Sequence, residues 1–132
     1  MSDSIRSYRD LEVWQKAMDL AVECYQITRE FPKNESYGMS SQLQRAVISI
    51  PANIAEGRGR QHRKEFLQHL SIAYGSFSEA ETYLLLAERL NYINKYQLNQ
   101  SISKTAEVGR MVNGLKKSIS RKADPRPLTP DP

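Results

Sequence analysis

The 132-residue chain has little of what several protein classes require. A single cysteine, Cys24, rules out an intrachain disulfide, and no basic start followed by an apolar core and a cleavage site marks a signal peptide. No segment approaches the roughly 18 apolar residues of a membrane span. The sequence therefore argues against disulfide-rich, secreted and membrane-spanning proteins, and we expect a cytoplasmic protein without membrane contact.

Proline is scarce over residues 1–122, where only Pro32 and Pro51 occur. Four of the six prolines lie in the last ten residues, "ADPRPLTPDP", which offer nothing to bury. We predict a disordered tail over residues 123–132 and a loose N-terminus over residues 1–7. Residues 8–122 remain for one domain, and 39% hydrophobic and 26% charged residues are ordinary for a globular fold.

Helical spacing dominates the part between these ends, and no segment alternates with the period of a strand. Apolar residues recur every three or four positions and predict helices over 10–30, 39–56, 63–90 and 95–122. Asp10 is a candidate N-cap, Gly57 supplies a stop, and Asn94 with Gln97 forms a capping box. Short connections between the helices predict an all-α, up-down-up-down four-helix bundle.

The second predicted helix contains Pro51 and carries a polar stripe beside its apolar face. Pro51 lacks an N–H and its ring crowds the carbonyl of Val47, so we predict a kink there. The stripe is either a polar subunit interface or binding seam, or a solvent face around the kink. The kink and interface candidates are Gln42, Arg45, Ser49, Pro51, Asn53 and Glu56.

Basic residues cluster in two segments, and the chain has a formal charge of +4 and a pI near 9.3. In an antiparallel bundle the end of the second helix and the end of the fourth lie at one pole, so the clusters would merge. Such a pole could bind phosphates, although a solvated helix face is the alternative. The candidate nucleic-acid-binding residues are Arg58, Arg60, Arg63, Lys64, Arg110, Lys116, Lys117, Arg121 and Lys122.

A catalytic or metal-binding function has weak support in the sequence. His62, Glu65 and His69 share helical spacing and are the most favourable candidates. Cys24 lies on an apolar helix face, where a small buried hydrophobe is expected rather than a nucleophile. Phosphate loops, nucleophile elbows and zinc-ligand spacings do not occur. We therefore expect no catalytic residues, no cofactor and no metal.

Several motifs together resemble one bacterial family. They are "DLEVWQKA" (10–17), "FP" and "YG" (31–32, 37–38), "SQLQRAVISIPANIAEGRGR" (41–60), "KEFLQ" (64–68) and "AYGSFSEAET" (73–82). Over residues 8–122 the chain resembles the 23S rRNA intervening-sequence proteins. The sequence departs from that pattern at Arg58, where an aromatic residue is more usual, which adds positive charge.

The resemblance implies a four-helix bundle that assembles as a ring-like homopentamer. The family also includes the accessory variability protein of diversity-generating retroelements, a basic pentamer that binds nucleic acid and partners a reverse transcriptase. By this analogy, the stripe through Ser49, Pro51, Asn53 and Glu56 shapes the kinked helix and its packing. Family membership fixes a fold better than a function.

The sequence therefore predicts a non-enzymatic, oligomeric, basic helical bundle that binds RNA or DNA through phosphate contacts. One alternative is a scaffold that docks a protein partner such as a reverse transcriptase, without intrinsic nucleic-acid binding. The other is an enzyme or metal protein built on the two histidines and Glu65.

Overall fold

The computed structural model describes residues 7–123, which form four α-helices and two short 3-10 turns and contain no β-strand. The predicted loose N-terminus and Pro-rich tail lie outside the described residues, apart from Ser7 and Ala123. The predicted all-α fold with four helices is confirmed. The helices are α1 (Glu12–Thr28), α2 (Met39–Arg60), α3 (Arg63–Arg89) and α4 (Lys95–Ala123), and the turns are Tyr8–Asp10 and Lys33–Glu35.

Each helix packs antiparallel to the next, and α4 closes the bundle against α1. Contacts between α1 and α4 show the antiparallel direction, because Lys16 pairs with Glu107 while Glu23, further along α1, pairs with Lys104, earlier in α4. Among the described residues, no Cα atom of α1 lies within 8 Å of one in α3, and none of α2 lies within 8 Å of one in α4. The four helices therefore stand at the corners of a square around one core.

The core consists of the apolar faces that the periodicity predicts. Helix α1 contributes Leu20 and Cys24, both fully buried, and burial raises the pKa of the Cys24 thiol to about 12. A fully buried leucine or isoleucine side chain stabilises the fold by about 1.5–3 kcal/mol. The largest fully buried apolar side chains of the other helices are Leu43, Val47, Ile50, Ile54, Leu70, Leu84, Val108 and Val112.

The pole that holds the α1–α2 and α3–α4 connections is closed by specific hydrogen bonds. Glu35 accepts from the Met39 N–H at 2.9 Å and from the Tyr92 hydroxyl at 2.7 Å, and these two bonds, in that order, lower the pKa of its carboxyl. Asn94 and Gln97 exchange two bonds of 2.8 Å, which confirms the predicted capping box. Hydrogen bonds at the helix starts therefore hold the two connections at this pole.

Two predicted helix ends are wrong. Helix α2 does not stop at Gly57 but continues to Arg60, and Gln61 at φ 65° supplies the left-handed residue at its end. Gly57 is buried against α3, where a Cβ would come within 2.7 Å of the His69 Cβ, so the glycine serves close packing. Asp10 does not cap α1, because Leu11 holds that position and the Asp10 carboxylate accepts from the Ser7 N–H instead.

Pro51 lies inside α2 without interrupting it. The helix is continuous from Met39 to Arg60, and the Pro51 side chain is buried in the core. The missing N–H leaves the Val47 carbonyl without its usual helical partner. A bend at this point stays a prediction.

Candidate nucleic-acid interface

The antiparallel order brings the α2–α3 junction and the last turns of α4 to one pole of the bundle, which we call the basic pole, while Arg110 lies nearer the middle, next to Gly109, which packs against Phe77. Only Gln61 and His62 separate α2 from α3, so the end of one helix adjoins the start of the next. The last turns of α4 lie at the same pole. Residues 56–66 contain four Lys or Arg against two Glu, and residues 110–122 contain five Lys or Arg and no Asp or Glu.

Two of the predicted arginines at the α2–α3 junction already have partners within the chain. The Arg60 guanidinium lies 3.0 Å from the Glu56 carboxylate, one helical turn earlier. This hydrogen bond is the main cause that lowers the pKa of Glu56, and the positive potential of His69 adds to it. Arg58 is half-buried and also interacts within the chain. Their positive charges are therefore partly committed to the fold.

Arg63 and Lys64 are different, because they are exposed in the first turn of α3. The N-terminal end of a helix carries positive partial charge, which disfavours cations by a few tenths of a kcal/mol. Helix stabilisation therefore does not account for these two residues.

The basic residues of α4 divide between two directions. Arg110, Lys117 and Arg121 are exposed and follow helical spacing on the outer face, with the exposed Gly114 between them. We call these four residues the basic stripe. Lys116 instead turns toward α3, where its ammonium lies 5.7 Å from the centroid of the Tyr74 ring.

A surface pocket lies on the basic stripe. Gly114, Lys117, Ser118 and Arg121 line it. Lys122 also belongs to α4, but its side chain is outside the described part of the molecule. The pocket therefore presents two cations and a hydroxyl around a position without a side chain.

The polar stripe of α2 splits between the bundle and the solvent. Ser49 accepts from the Ser76 hydroxyl at 2.8 Å, and Asn53 Oδ1 lies 2.9 Å from His69 Nδ1, so both side chains face α3. Asn53 also donates to Ser49 Oγ at 3.0 Å. We call Ser49, Asn53, His69 and Ser76 the polar seam.

The other members of the predicted stripe do not join this network. Gln42 and Arg45 are exposed, and Pro51 belongs to the core. Glu56 is exposed at the edge of the seam, 3.9 Å from His69 Nε2. Thus two of the six candidates, Ser49 and Asn53, pack against α3 of the same chain.

The polar seam also includes His69, one of the two histidines of the catalytic alternative. One ring nitrogen of His69 faces Asn53 and the other faces Glu56, while His62 is exposed before α3. No group of three His, Cys, Asp or Glu side chains within residues 7–123 is arranged to hold a metal ion. The raised pKa of Cys24 keeps its thiol protonated and unsuited to nucleophilic attack.

Two features escaped the sequence analysis. Ser76 supplies the α3 half of the polar seam, and Gly114 forms the open centre of the surface pocket. The helical spacing of Arg110, Gly114, Lys117 and Arg121 is visible in the sequence, but only the structure shows that no side chain of the described residues covers the glycine. No helix in the described part of the chain is long and apolar enough to cross a membrane.

The chain is similar to known proteins over most of its length. The model of the family described as 23S rRNA-intervening sequence protein matches residues 9–114. A similar solved structure is the 1.70 Å crystal structure of a protein with unknown function from the S23 ribosomal protein family of Bacteroides thetaiotaomicron VPI-5482. It shares 29% identity and a TM-score of 0.72, covering 80% of this chain and 98% of that one. No curated protein matches. The chain therefore belongs to the family of 23S rRNA-intervening sequence proteins.

Proposed function

We propose that this protein is a non-enzymatic, homo-oligomeric bundle that binds RNA or DNA through phosphate contacts at its basic pole. The observation that carries the proposal is the convergence of the α2–α3 junction and the end of α4 at one pole. Cations gathered there raise the local potential more than the same charges spread over the surface.

The charge is uneven along the bundle. Residues 56–66 and 110–122 together carry nine Lys or Arg against two Glu, whereas the rest of the chain carries ten Lys or Arg against thirteen Asp or Glu. Arg63 and Lys64 are exposed in the first turn of α3, where the helix does not favour them. Arginine forks bind phosphate oxygens in pairs, which suits contact with a nucleic-acid backbone.

Oligomerisation would strengthen each weak contact. Five chains of charge +4 carry about +20 in total, and linked contacts gain from high effective concentration. The number five comes from the family resemblance alone. Exposed apolar side chains on two opposite sides support contacts between copies: Met18, Val22 and Ile48 on α1 and α2, and Leu85 and Leu86 on α3. Two different patches that meet head to tail form a ring where the rotation between neighbouring copies closes.

The test is light scattering on a sizing column, with and without a structured RNA, at salt concentrations from about 0.05 to 0.2 M. We expect an oligomer that co-elutes with RNA at low salt and releases it as salt rises. An oligomer that ignores both RNA and DNA at low salt would contradict nucleic-acid binding. The scaffold that docks a protein partner would then become the better explanation.

Two variants that each lose four positive charges test where the nucleic-acid-binding site lies. We expect Arg63, Lys64, Lys117 and Arg121 changed together to Gln to weaken binding at least tenfold. The slope of log K against log salt should fall by about 0.9 for each lost phosphate contact on a duplex. The matched control changes the exposed Arg29, Lys33, Arg45 and Arg89 to Gln and so has the same net charge. Equal losses in both variants would contradict the placement of the site.

A further inference from the structure

The outer face of α4 presents its cations in a straight row. Counted from Arg110, the other members of the basic stripe follow at four, seven and eleven positions, as Gly114, Lys117 and Arg121. All four residues are exposed. At 1.5 Å of rise per residue the basic stripe is about 16 Å long. This length is about half of one turn of a nucleic-acid duplex.

These cations have no partner within the described residues. Arg110, Lys117 and Arg121 form no ion pair there, whereas Lys16 and Lys104 pair with carboxylates. The helix dipole favours cations only in the last turn, and Arg110 and Lys117 lie more than one turn before Ala123. Neither internal pairing nor helix stabilisation therefore accounts for Arg110 and Lys117.

Packing within the chain does not require a glycine at position 114. A Cβ at this position would meet nothing within 4 Å, whereas a Cβ at Gly109 would lie 2.5 Å from the Phe77 ring. A glycine inside a helix lowers its stability, so a free glycine needs another explanation. Glycine is common where a ligand must approach the main chain closely, and here the surrounding pocket is lined by Lys117, Ser118 and Arg121.

The surroundings of the stripe favour a duplex over a single strand. Single strands are usually held by stacking of their bases on aromatic side chains, and residues 107–123 contain none. The neighbouring Tyr74 has the Lys116 ammonium 5.7 Å from its ring centroid, which obstructs one face. A duplex keeps its bases stacked inside and presents phosphates.

We propose that the sugar–phosphate backbone of a nucleic-acid duplex crosses α4 at Gly114. One phosphate sits against the exposed main chain, with Arg110 on one side and Lys117 and Arg121 on the other. Gly114 is a positioning residue, because the missing side chain allows the phosphate to come close to all three cations. This inference rests on the proposed function and names the ligand class and the contact point.

The test compares Gly114→Ala with a matched control, Gly75→Ala. Gly75 is also an exposed helical glycine with nothing within 4 Å of an added Cβ, but its neighbours one turn away are Ser71, Ser78 and Glu79. Both variants should raise Tm by a few degrees because alanine favours the helix. Affinity for a duplex RNA and a duplex DNA of about 20 base pairs is measured at about 0.1 M salt, with the matching single strands.

We expect Gly114→Ala to bind the duplex at least fivefold more weakly although it is more stable, and Gly114→Leu to bind more weakly still. Gly75→Ala should stay within twofold of the unchanged protein. If the unchanged protein binds duplexes and Gly114→Ala binds equally well, the inference fails and the proposed function stands. Tighter binding of the single strand would also overturn it. If the unchanged protein binds no nucleic acid, the proposed function fails, and this inference fails with it.

Discussion

The polar seam and the basic stripe both contain polar residues at helical spacing in the sequence. In the structure the seam lies between two helices, whereas the stripe is exposed to solvent. Ser49 and Asn53 of α2 form hydrogen bonds across to α3, so their polar atoms are satisfied within the chain. Arg110 and Lys117 of α4 point to solvent and have no ion-pair partner in the described part of the chain. Polar residues at helical spacing therefore stabilise the bundle where a second helix covers them and remain available for a ligand where none does.

The two regions also use glycine for opposite reasons. Gly57 lies beside the seam, where a Cβ would come within 2.9 Å of the Phe66 ring, while Gly114 lies in open space. The first permits close packing of two helices, and the second weakens its own helix without a packing benefit. Substitutions in the seam should therefore change stability, and substitutions on the stripe should change binding.

The largest expected effect is overpacking beside the seam. We expect Gly57→Val to lower the free energy of unfolding by about 3 kcal/mol, because its side chain would displace His69 and Phe66. Urea denaturation followed by circular dichroism measures the change. The stripe variant Gly114→Val is the control and should change stability by less than about 1 kcal/mol. Equal losses in both variants would contradict the distinction.

The second-largest expected change in stability follows removal of the Asn53 side-chain amide from the polar seam. Asn53→Ala removes the partner of His69 Nδ1, a half-buried polar atom, and one of the two partners of Ser49 Oγ, which keeps Ser76. We expect a loss of about 2 kcal/mol in the free energy of unfolding. On the stripe, Arg110→Ala should change stability by less than about 0.5 kcal/mol. An Asn53→Ala protein as stable as its parent would show that the network contributes nothing.

A smaller effect is expected at the α3 side of the seam. Ser76 is buried and donates to Ser49 Oγ at 2.8 Å. Ser76→Ala should lower the free energy of unfolding by about 1 kcal/mol, because the remaining hydroxyl keeps a second partner in Asn53. The comparison is Ser118→Ala on α4, for which we expect almost no change. Thermal unfolding of both proteins in one buffer measures the two changes. A larger loss of stability for Ser118→Ala than for Ser76→Ala would contradict the prediction.

The smallest expected effect is a dependence of the folding stability on pH. The Arg60 hydrogen bond, with a smaller contribution from His69, holds the pKa of Glu56 below its usual value of 4.5 in the folded protein. Glu56 therefore favours folding at any pH above about 4.5, and this contribution disappears as pH falls through the lower folded value.

We expect the Tm difference between the parent and Glu56→Gln to be greatest near neutral pH and to shrink below pH 4.5. Thermal unfolding at pH 6, 5, 4 and 3 measures it. Glu79→Gln, at an exposed glutamate of α3 that forms no ion pair within the described residues, is the control. A Tm difference that grows as pH falls would contradict the predicted sign.

Much of the fold could be predicted from the sequence. The apolar spacing predicted all four helices, and three of them end within two residues of the prediction. The family resemblance, carried by the segment from Ser41 to Arg60, is confirmed over residues 9–114. The exception was the end of α2, because a glycine at a helix end and a glycine at a helix–helix contact look the same in one sequence.

The candidate site was predicted less completely. Antiparallel order follows from short connections, so the meeting of the two basic segments could be expected. The direction of each side chain could not, because it depends on the neighbouring helix: Lys116 turns to Tyr74, Arg60 to Glu56, and Lys117 to solvent. Nine candidate residues therefore include some whose charge is partly used within the chain.

The sequence by itself determined the number of helices, their apolar faces and the accumulation of positive charge near two helix ends, since these depend on spacing along one chain. Tertiary structure alone decided which polar groups are covered. Ser49 and Asn53 became internal because α3 brings Ser76 and His69 against them, while Gly114 stayed open because no helix covers the outer face of α4. Burial depends on two surfaces in contact, and the residue spacing within one helix describes only one of those surfaces.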